Sequence, residues 1–352
     1  MKILSFVGTR PELIKTLAFC RAVKKFSDVE FQVVHTFQNF LPEMTQEISN
    51  ELGISLHDQS PAWERSSPGS IAKSLIDYCS ACLSKYQPDV VISNTDTDTA
   101  FYSALAAVKH RIPVAHIEGG IRSSARTNPE DVNRRLADHL SNWVFTIDDY
   151  DSENLLSEGF SRDQVFMLGD ITLDALNIVL CEHGIPVTRG EYHLFTMHRQ
   201  ENAGDPVRLK AILEAVDQAG VRTVFPIHPR TRTTLEENGL MEIIDRSSVI
   251  EPTQPLGYLE MVGVLAGCNK VISDSGGLRR EGYMLGKPVI SLVSFVWFRR
   301  MNELGFEFVA DADPSKILHA IREYDPHGPR PPIFGDGRAA EHILGTLRDK
   351  IG

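Results

Sequence analysis

A chain of 352 residues, 42% hydrophobic and 24% charged, has ordinary globular composition and enough length for two domains rather than one. Its 47 acidic against 36 basic residues leave a formal net charge of -11, which argues against nonspecific nucleic-acid binding but not against a phosphate held by a few local cations. Five scattered cysteines, a first apolar run too brief for a signal peptide and no stretch near the ~20 apolar residues of a membrane span predict a reduced, cytoplasmic chain.

In chain order, β-branched runs at 2–7, 31–35, 89–93, 113–117, 143–147 and 165–168 predict strands. Most are continuous apolar runs rather than alternating ones, the pattern of strands covered on both faces. Helices are predicted between them at 12–25, 42–52, 70–86, 98–109 and 129–141. The alternation restarts with strands at 192–197, 222–227, 247–250, 270–273, 288–292 and 307–309, and with helices at 206–219, 232–238, 256–266, 277–285 and 315–324. This spacing predicts an α/β chain of two Rossmann-like domains whose parallel sheets face a central cleft. The expected boundaries are 1–170, 171–333 and a last segment, 334–352, whose helix packs back on the first domain. Cys79 and Cys82 form a CxxC inside a helical run with no second pair nearby, so they read as core residues rather than as a metal or redox pair.

Ligands of open α/β sheets bind beyond the carboxyl ends of the strands, so the polar residues just after each strand are the candidates. After the first strand, Arg10 projects at the strand end and Lys15 lies about one helical turn inside; two cations beside a helix N-terminus suit a diphosphate. After the third, Asp98 or Thr99 is expected to cap the next helix, which leaves Asp96 for the cleft. The fourth ends in His116-Ile117-Glu118-Gly119-Gly120, where the glycines permit close backbone approach and expose Glu118. Further on, Asn128 is expected as N-cap, Pro129 as N1 and Asp131 as the N3 acid of a capping box. Glu130 then stands in the first turn, either as a dipole-stabilising carboxylate or as a site acid, with Asn133 and Arg134 one turn on.

In the second half, His198 and His228 each follow a strand. A third strand runs into the small turn Ser275-Gly276-Gly277 and a helix carrying Glu281. Free backbone N–H groups at such a turn suit phosphate, and the acid suits ribose hydroxyls. There is no Walker sequence and no G-x-G-x-x-G, which disfavours ATP hydrolysis and NAD binding.

The segments GTRPELIK (8–15), TDTDT (95–99), HIEGGIRS (116–123), PEDVNRR (129–135), MHRQEN (197–202), HP (228–229) and SDSGGLRREG (273–282) resemble, in order and spacing, the non-hydrolysing UDP-N-acetylglucosamine 2-epimerases. That family has the two-domain GT-B fold, and the likeness runs from Gly8 to Gly305. The resemblance implies a reaction at C2 of the sugar, in which UDP is eliminated to leave a bound glycal and is then added back. It implies Asp96, Glu118 and Glu130 as catalytic acids and His198 as the cleft histidine. Arg10, Lys15, Arg134 and His228 would serve substrate binding, and Ser275, Gly276, Gly277 and Glu281 the UDP turn. It implies a homodimer, and no metal or redox cofactor, because the electrons return to the same substrate.

The chain departs from the family pattern at Thr95, where Gly is usual, and at Arg279-Arg280, where Gln-Glu is usual. It departs again in Gln38-Asn39-Phe40-Leu41 and in Val296-Trp297-Phe298-Arg299-Arg300. These changes leave the acids in place and bear on which sugar is accepted. The alternatives are therefore a 2-epimerase or hydrolysing epimerase for a modified UDP-N-acetylhexosamine, a glycosyltransferase on the same fold, or a non-catalytic UDP-sugar sensor.

Overall fold

A computed structural model of the chain describes residues 1–38, 42–61, 66–122, 128–296 and 298–352, with the backbone alone at 42–45. Asn39, Phe40, Leu41 and Trp297, among the family departures, lie outside the described residues. The chain divides into two compact units: Met1–Ile178 with Ile333–Gly352, and Val179–Pro332.

The first unit is built on the strands β1 (Lys2–Val7), β2 (Glu30–His35), β3 (Asp58–Gln59), β4 (Val90–Asn94), β5 (Val114–Ile117), β6 (Trp143–Thr146) and β7 (Val165–Met167). All pair in parallel, in the order β3-β2-β1-β4-β5-β6-β7. The second unit holds β8 (His193–Thr196), β9 (Thr223–Pro226), β10 (Ile250–Thr253), β11 (Val271–Ser273), β12 (Val289–Ser291) and β13 (Glu307–Val309), again parallel, in the order β10-β9-β8-β11-β12-β13. Both are α/β units of Rossmann type, with the strand order reversing between β1 and β4 and between β8 and β11.

The continuous apolar runs are explained by burial on both faces, as in β4, where all five residues are buried. Leu4, Phe6, Val34, Val91 and Val114 pack one face of the first sheet against helices that contribute Ala104, Ala107, Cys79 and Cys82. The two thiols are thus core side chains, and burial pushes Cys82 up to about 11 and Cys79 well above the ordinary thiol value. In the second unit Phe195, Phe225, Ile272 and Ile290 meet Ile212, Leu213, Val216 and Ile317. The last helix, Ala339–Ile351, buries Ile343, Leu344 and Leu347 and packs against the helix Arg10–Ala22. Its start is anchored by Asp174, whose carboxylate accepts the Ala339 and Ala340 N–H groups at 3.1 and 2.8 Å. Among the described residues no helix is long and apolar enough to cross a membrane.

Some local expectations need correcting. The strand expected at 247–250 lies instead at Ile250–Thr253, because Ser247 Oγ accepts the Val249 and Ile250 N–H groups in a turn and Pro252 is tolerated on the edge strand β10. Thr97, rather than Asp98 or Thr99, caps the helix Asp98–Lys109 through the Ala100 N–H. Asn128 caps the helix Pro129–Leu140 through Glu130 N–H, as expected, and Asp131 pairs with Arg135 at 2.8 Å, one turn on.

His193 opens β8 almost wholly buried, and burial together with the nearby Lys270 pushes its imidazole down from 6.5 to about 4. The folded unit keeps this ring neutral while the unfolded chain protonates it, so stability present above pH 6.5 is lost as pH falls towards 4. The loss attributable to this group is about 3 kcal/mol. In His193→Phe the melting-temperature difference from wild type should grow in favour of the variant between pH 7 and pH 4.5. A difference independent of pH would refute this.

Candidate active site

In sheets of this kind the crevice for ligands opens where strand order reverses, here at the ends of β1 and β4. Gly8 follows β1, and a Cβ there would collide with the Thr99 and Thr36 hydroxyls, so only glycine lets the loops after β1, β2 and β4 approach so closely. Glu12 organises the same place. Its carboxylate accepts from Gly8 N (2.7 Å), Thr9 N (3.0 Å), Thr9 Oγ1 (3.1 Å), Thr97 Oγ1 (2.6 Å) and Thr95 Oγ1 (3.4 Å). The loop bearing Arg10 and Lys15 is thereby tied to the loop bearing Asp96. Burial pushes the Glu12 carboxyl up to about 7 against these donors.

Two cation–carboxylate pairs stand on this frame. Lys15 Nζ contacts Glu118 Oε1, both nearly inaccessible to solvent. Arg134 Nη2 meets Asp96 Oδ2 at 2.5 Å, and Asn133 Nδ2 holds the Asp96 carbonyl at 3.2 Å and Asp98 Oδ1 at 3.0 Å. Thr95 and Glu118 both sit in the left-handed region, at φ 63° and 59°. For side chains other than glycine that conformation costs roughly 1–2 kcal/mol, and its recurrence on adjacent strand ends marks a functional site. Arg10 is half-buried at the first helical position. Glu130 is exposed, and among the described residues its side chain makes no hydrogen bond or ion pair, so the structure does not join it to the other acids.

The second unit repeats the arrangement where its own order reverses. His198 follows β8, and the buried Asp274 follows β11. The Asp274 carboxylate accepts from the His198 N–H (3.1 and 3.2 Å), Arg199 N–H (3.0 Å) and Asn202 Nδ2 (3.1 Å), which joins the two loops. The His198 and His228 rings lie 5.5 Å apart, and Arg230 Nη1 holds the His198 carbonyl at 2.9 Å. Burial lowers the His198 imidazole, helped by Arg199 and Arg230 and opposed by Asp274; burial, His198 and Arg230 lower His228. Both rings are accordingly disposed to be neutral near neutral pH.

Ser275 caps the helix Gly276–Met284 through Leu278 N–H at 3.4 Å. A Cβ on Gly277 would meet nothing within 4 Å, and one on Gly276 only Phe298 at 3.9 Å, so packing among the described residues gives no reason for these glycines. An open turn at a helix N-terminus can receive an anion. Glu281, on the same helix, accepts from Tyr258 Oη at 3.1 Å.

Asp96, Glu118, Glu130, Arg10, Lys15 and Arg134 belong to the first unit; His198, His228, Ser275, Gly276, Gly277 and Glu281 belong to the second. Glu12, Asp274 and Tyr258 were not anticipated from sequence. For Glu12 a signal existed, the Thr9-x-x-Glu12 pattern of a capping box. Arg279, among the family departures, is wholly buried and bonds Ser291 Oγ and Glu307 Oε1, so it ties the helix Gly276–Met284 to β12 and β13.

Two Rossmann-like parallel sheets, each with charged side chains where its order reverses, define an α/β enzyme of the GT-B type. The family model of UDP-N-acetylglucosamine 2-epimerase matches residues 21–348. The UDP-N-acetylglucosamine 2-epimerase of Methanocaldococcus jannaschii is 30% identical, with 99% of each chain covered. The UDP-2,3-diacetamido-2,3-dideoxy-D-glucuronate 2-epimerase of Pseudomonas aeruginosa is 33% identical, with 92% of each covered. The crystal structure of the Neisseria meningitidis UDP-GlcNAc 2-epimerase bound to UDP-GlcNAc superposes with a TM-score of 0.87 at 27% identity, over 99% of this chain and 100% of that one. The chain belongs to the UDP-N-acetylglucosamine 2-epimerase family.

Proposed function

We propose that the protein is a non-hydrolysing 2-epimerase that interconverts UDP-N-acetylglucosamine and UDP-N-acetylmannosamine. A carboxylate takes the C2 proton while the C1–O bond to UDP breaks, and the C2–H electron pair becomes the second bond of a glycal. UDP then re-adds at C1 as a proton is delivered to the opposite face of C2. The sugar finishes at its starting oxidation level, so no redox cofactor is called for.

The observation that carries this reading is the pair of carboxylates at neighbouring strand ends, Glu118 beside Lys15 and Asp96 beside Arg134. It supplies acids for C2 next to cations for a departing diphosphate. In this scheme Asp96, Glu118 and Glu130 are the acid–base groups and His198 the neutral imidazole near the reacting sugar. Arg10, Lys15, Arg134 and His228 serve the diphosphate, Ser275, Gly276 and Gly277 offer N–H groups to phosphate, and Glu281 takes the ribose. Proton NMR of the protein with UDP-N-acetylglucosamine in D2O tests it: a second anomeric signal and deuterium at C2 are expected, whereas free sugar plus UDP would mean hydrolysis. A requirement for an acceptor would mean glycosyl transfer.

One observation favours a second reading with the same chemistry and another sugar, namely the 33% identity to a relative named for a diacetamido glucuronate. Running both UDP-sugars side by side decides between them by kcat/KM. The family reading also makes the enzyme a cytoplasmic homodimer, which light scattering tests at twice the chain mass.

A further inference from the structure

His116 lies on β5, two residues before Glu118, wholly buried, and the scheme above makes no use of it. Its ring sits between the Thr95 carbonyl and the Asp138 carboxylate. Nε2 is 2.6 Å from the Thr95 carbonyl oxygen, and Nδ1 is 2.6 Å from Asp138 Oδ1. A carbonyl oxygen can only accept, so Nε2 donates. Asp138 Oδ2 receives the Gly120 N–H at 3.2 Å and Arg122 Nη2 at 2.8 Å. Burial pushes the Asp138 carboxyl up, but His116 and Arg122 outweigh it and hold the group below the ordinary carboxylate range. Asp138 thus ties the ring, at Nδ1, to the Gly120 N–H and to Arg122.

The Nε2 bond ends on the turn that carries Asp96, and Asp138, on the helix Pro129–Leu140, links Nδ1 to the turn beyond Glu118 through its other oxygen. The Thr95 carbonyl belongs to the peptide that leads into Asp96, and the Gly120 N–H belongs to the turn that leaves Glu118. Thr95 and Glu118 are both left-handed without being glycine, and such conformations persist only where the surroundings over-determine them. Gly119 shows how tightly they do so, since a Cβ there would collide with Val144 Cγ1 and Asp138 Oδ1.

We propose that His116, locked by Asp138, is a positioning residue that holds the turns bearing Asp96 and Glu118 in register with each other. What the two acids do rests on the epimerase reading; what the imidazole does rests on its hydrogen bonds alone. Protein with 15N-labelled histidine, assigned by comparison with His116→Gln, should show a slowly exchanging Nε2–H proton for His116. Deuterium exchange at C2 of UDP-N-acetylglucosamine by the wild type tests the epimerase reading separately. On that activity His116→Gln should lose about 100-fold in kcat, with KM and UDP affinity within about threefold of wild type and an unchanged circular dichroism spectrum. Asp138→Asn, which keeps the shape and removes the charge, should lose about tenfold, and the double variant no more than His116→Gln, because both act through one ring. A rapidly exchanging Nε2–H, a kcat within about threefold of wild type, a loss confined to KM, or losses that multiply in the double variant would each overturn the proposal. A wild type that shows the protected Nε2–H signal but no C2 exchange would sink the epimerase reading and leave the clamp standing.

Discussion

Glu118→Gln is expected to lower turnover by about 1000-fold, the upper part of the range for a group that moves a proton in the transition state. The same substitution also disturbs the fold, because Lys15 is only 5% exposed and contacts the carboxylate directly. Leaving a buried ammonium without its counter-charge costs about 3–5 kcal/mol. Lost activity alone would therefore not separate chemistry from unfolding. Lys15→Met combined with Glu118→Gln does, since it removes the orphaned cation together with the acid. The pair should regain most of the stability lost in Glu118→Gln and none of the turnover. Asp96→Asn should behave alike in turnover but lose less stability, because Asp96 is more exposed than Glu118 and its partner Arg134 keeps hydrogen-bonding to an amide oxygen. A folded Glu118→Gln protein with turnover within about tenfold of wild type would remove Glu118 from the chemistry.

Why the elements around Glu118 could be anticipated, and its partners could not, follows from what a linear pattern records. Strands buried on both faces read as apolar runs, and the helices at Asp98–Lys109 and Pro129–Leu140 begin at visible punctuation, a polar cap or a proline. The helix Ile171–Glu182 escapes because its sequence, ITLDALNIVLCE, is apolar nearly all round and shows no stripe of period 3.6. Asp149–Ser157 escapes for the opposite reason, since DYDSENLLS buries only Asp151 and Leu155. The two-residue strand Asp58–Gln59 is held at the sheet edge by backbone pairing to Val34 and His35 and leaves no hydrophobic signature. The rule that ligands meet strand ends singles out Asp96, Glu118 and His198 as candidates. The pairing of Lys15 with Glu118, of Arg134 with Asp96 and of His116 with Thr95 depends on β1, β4 and β5 being neighbours, a fact of topology.

Glu307→Leu is expected to destabilise the second unit by about 3–5 kcal/mol, and the reason lies in an asymmetry of its partner. Arg279 Nη1 meets Glu307 Oε1 and Ser291 Oγ, each at 2.6 Å, and both members of the ion pair are wholly enclosed at side-chain level. Burial lowers the guanidinium and raises the carboxyl, each opposed by the other's charge. When Glu307 is removed, Arg279 cannot shed its proton and remains a buried cation. When Arg279 is removed instead, Glu307 can take up a proton and become a neutral acid, so Arg279→Met should cost less, and less again at pH 5.5 than at pH 7.5. The sign follows from linkage, because a carboxyl raised in the folded state favours folding at the lower pH. Arg279→Met with Glu307→Leu, which replaces the pair by apolar groups, should come within about 1–2 kcal/mol of wild type or exceed it. Chemical denaturation of the three variants at both pH values measures each term. Equal, pH-independent losses for the two single variants would show that the pair is held by packing and not by charge.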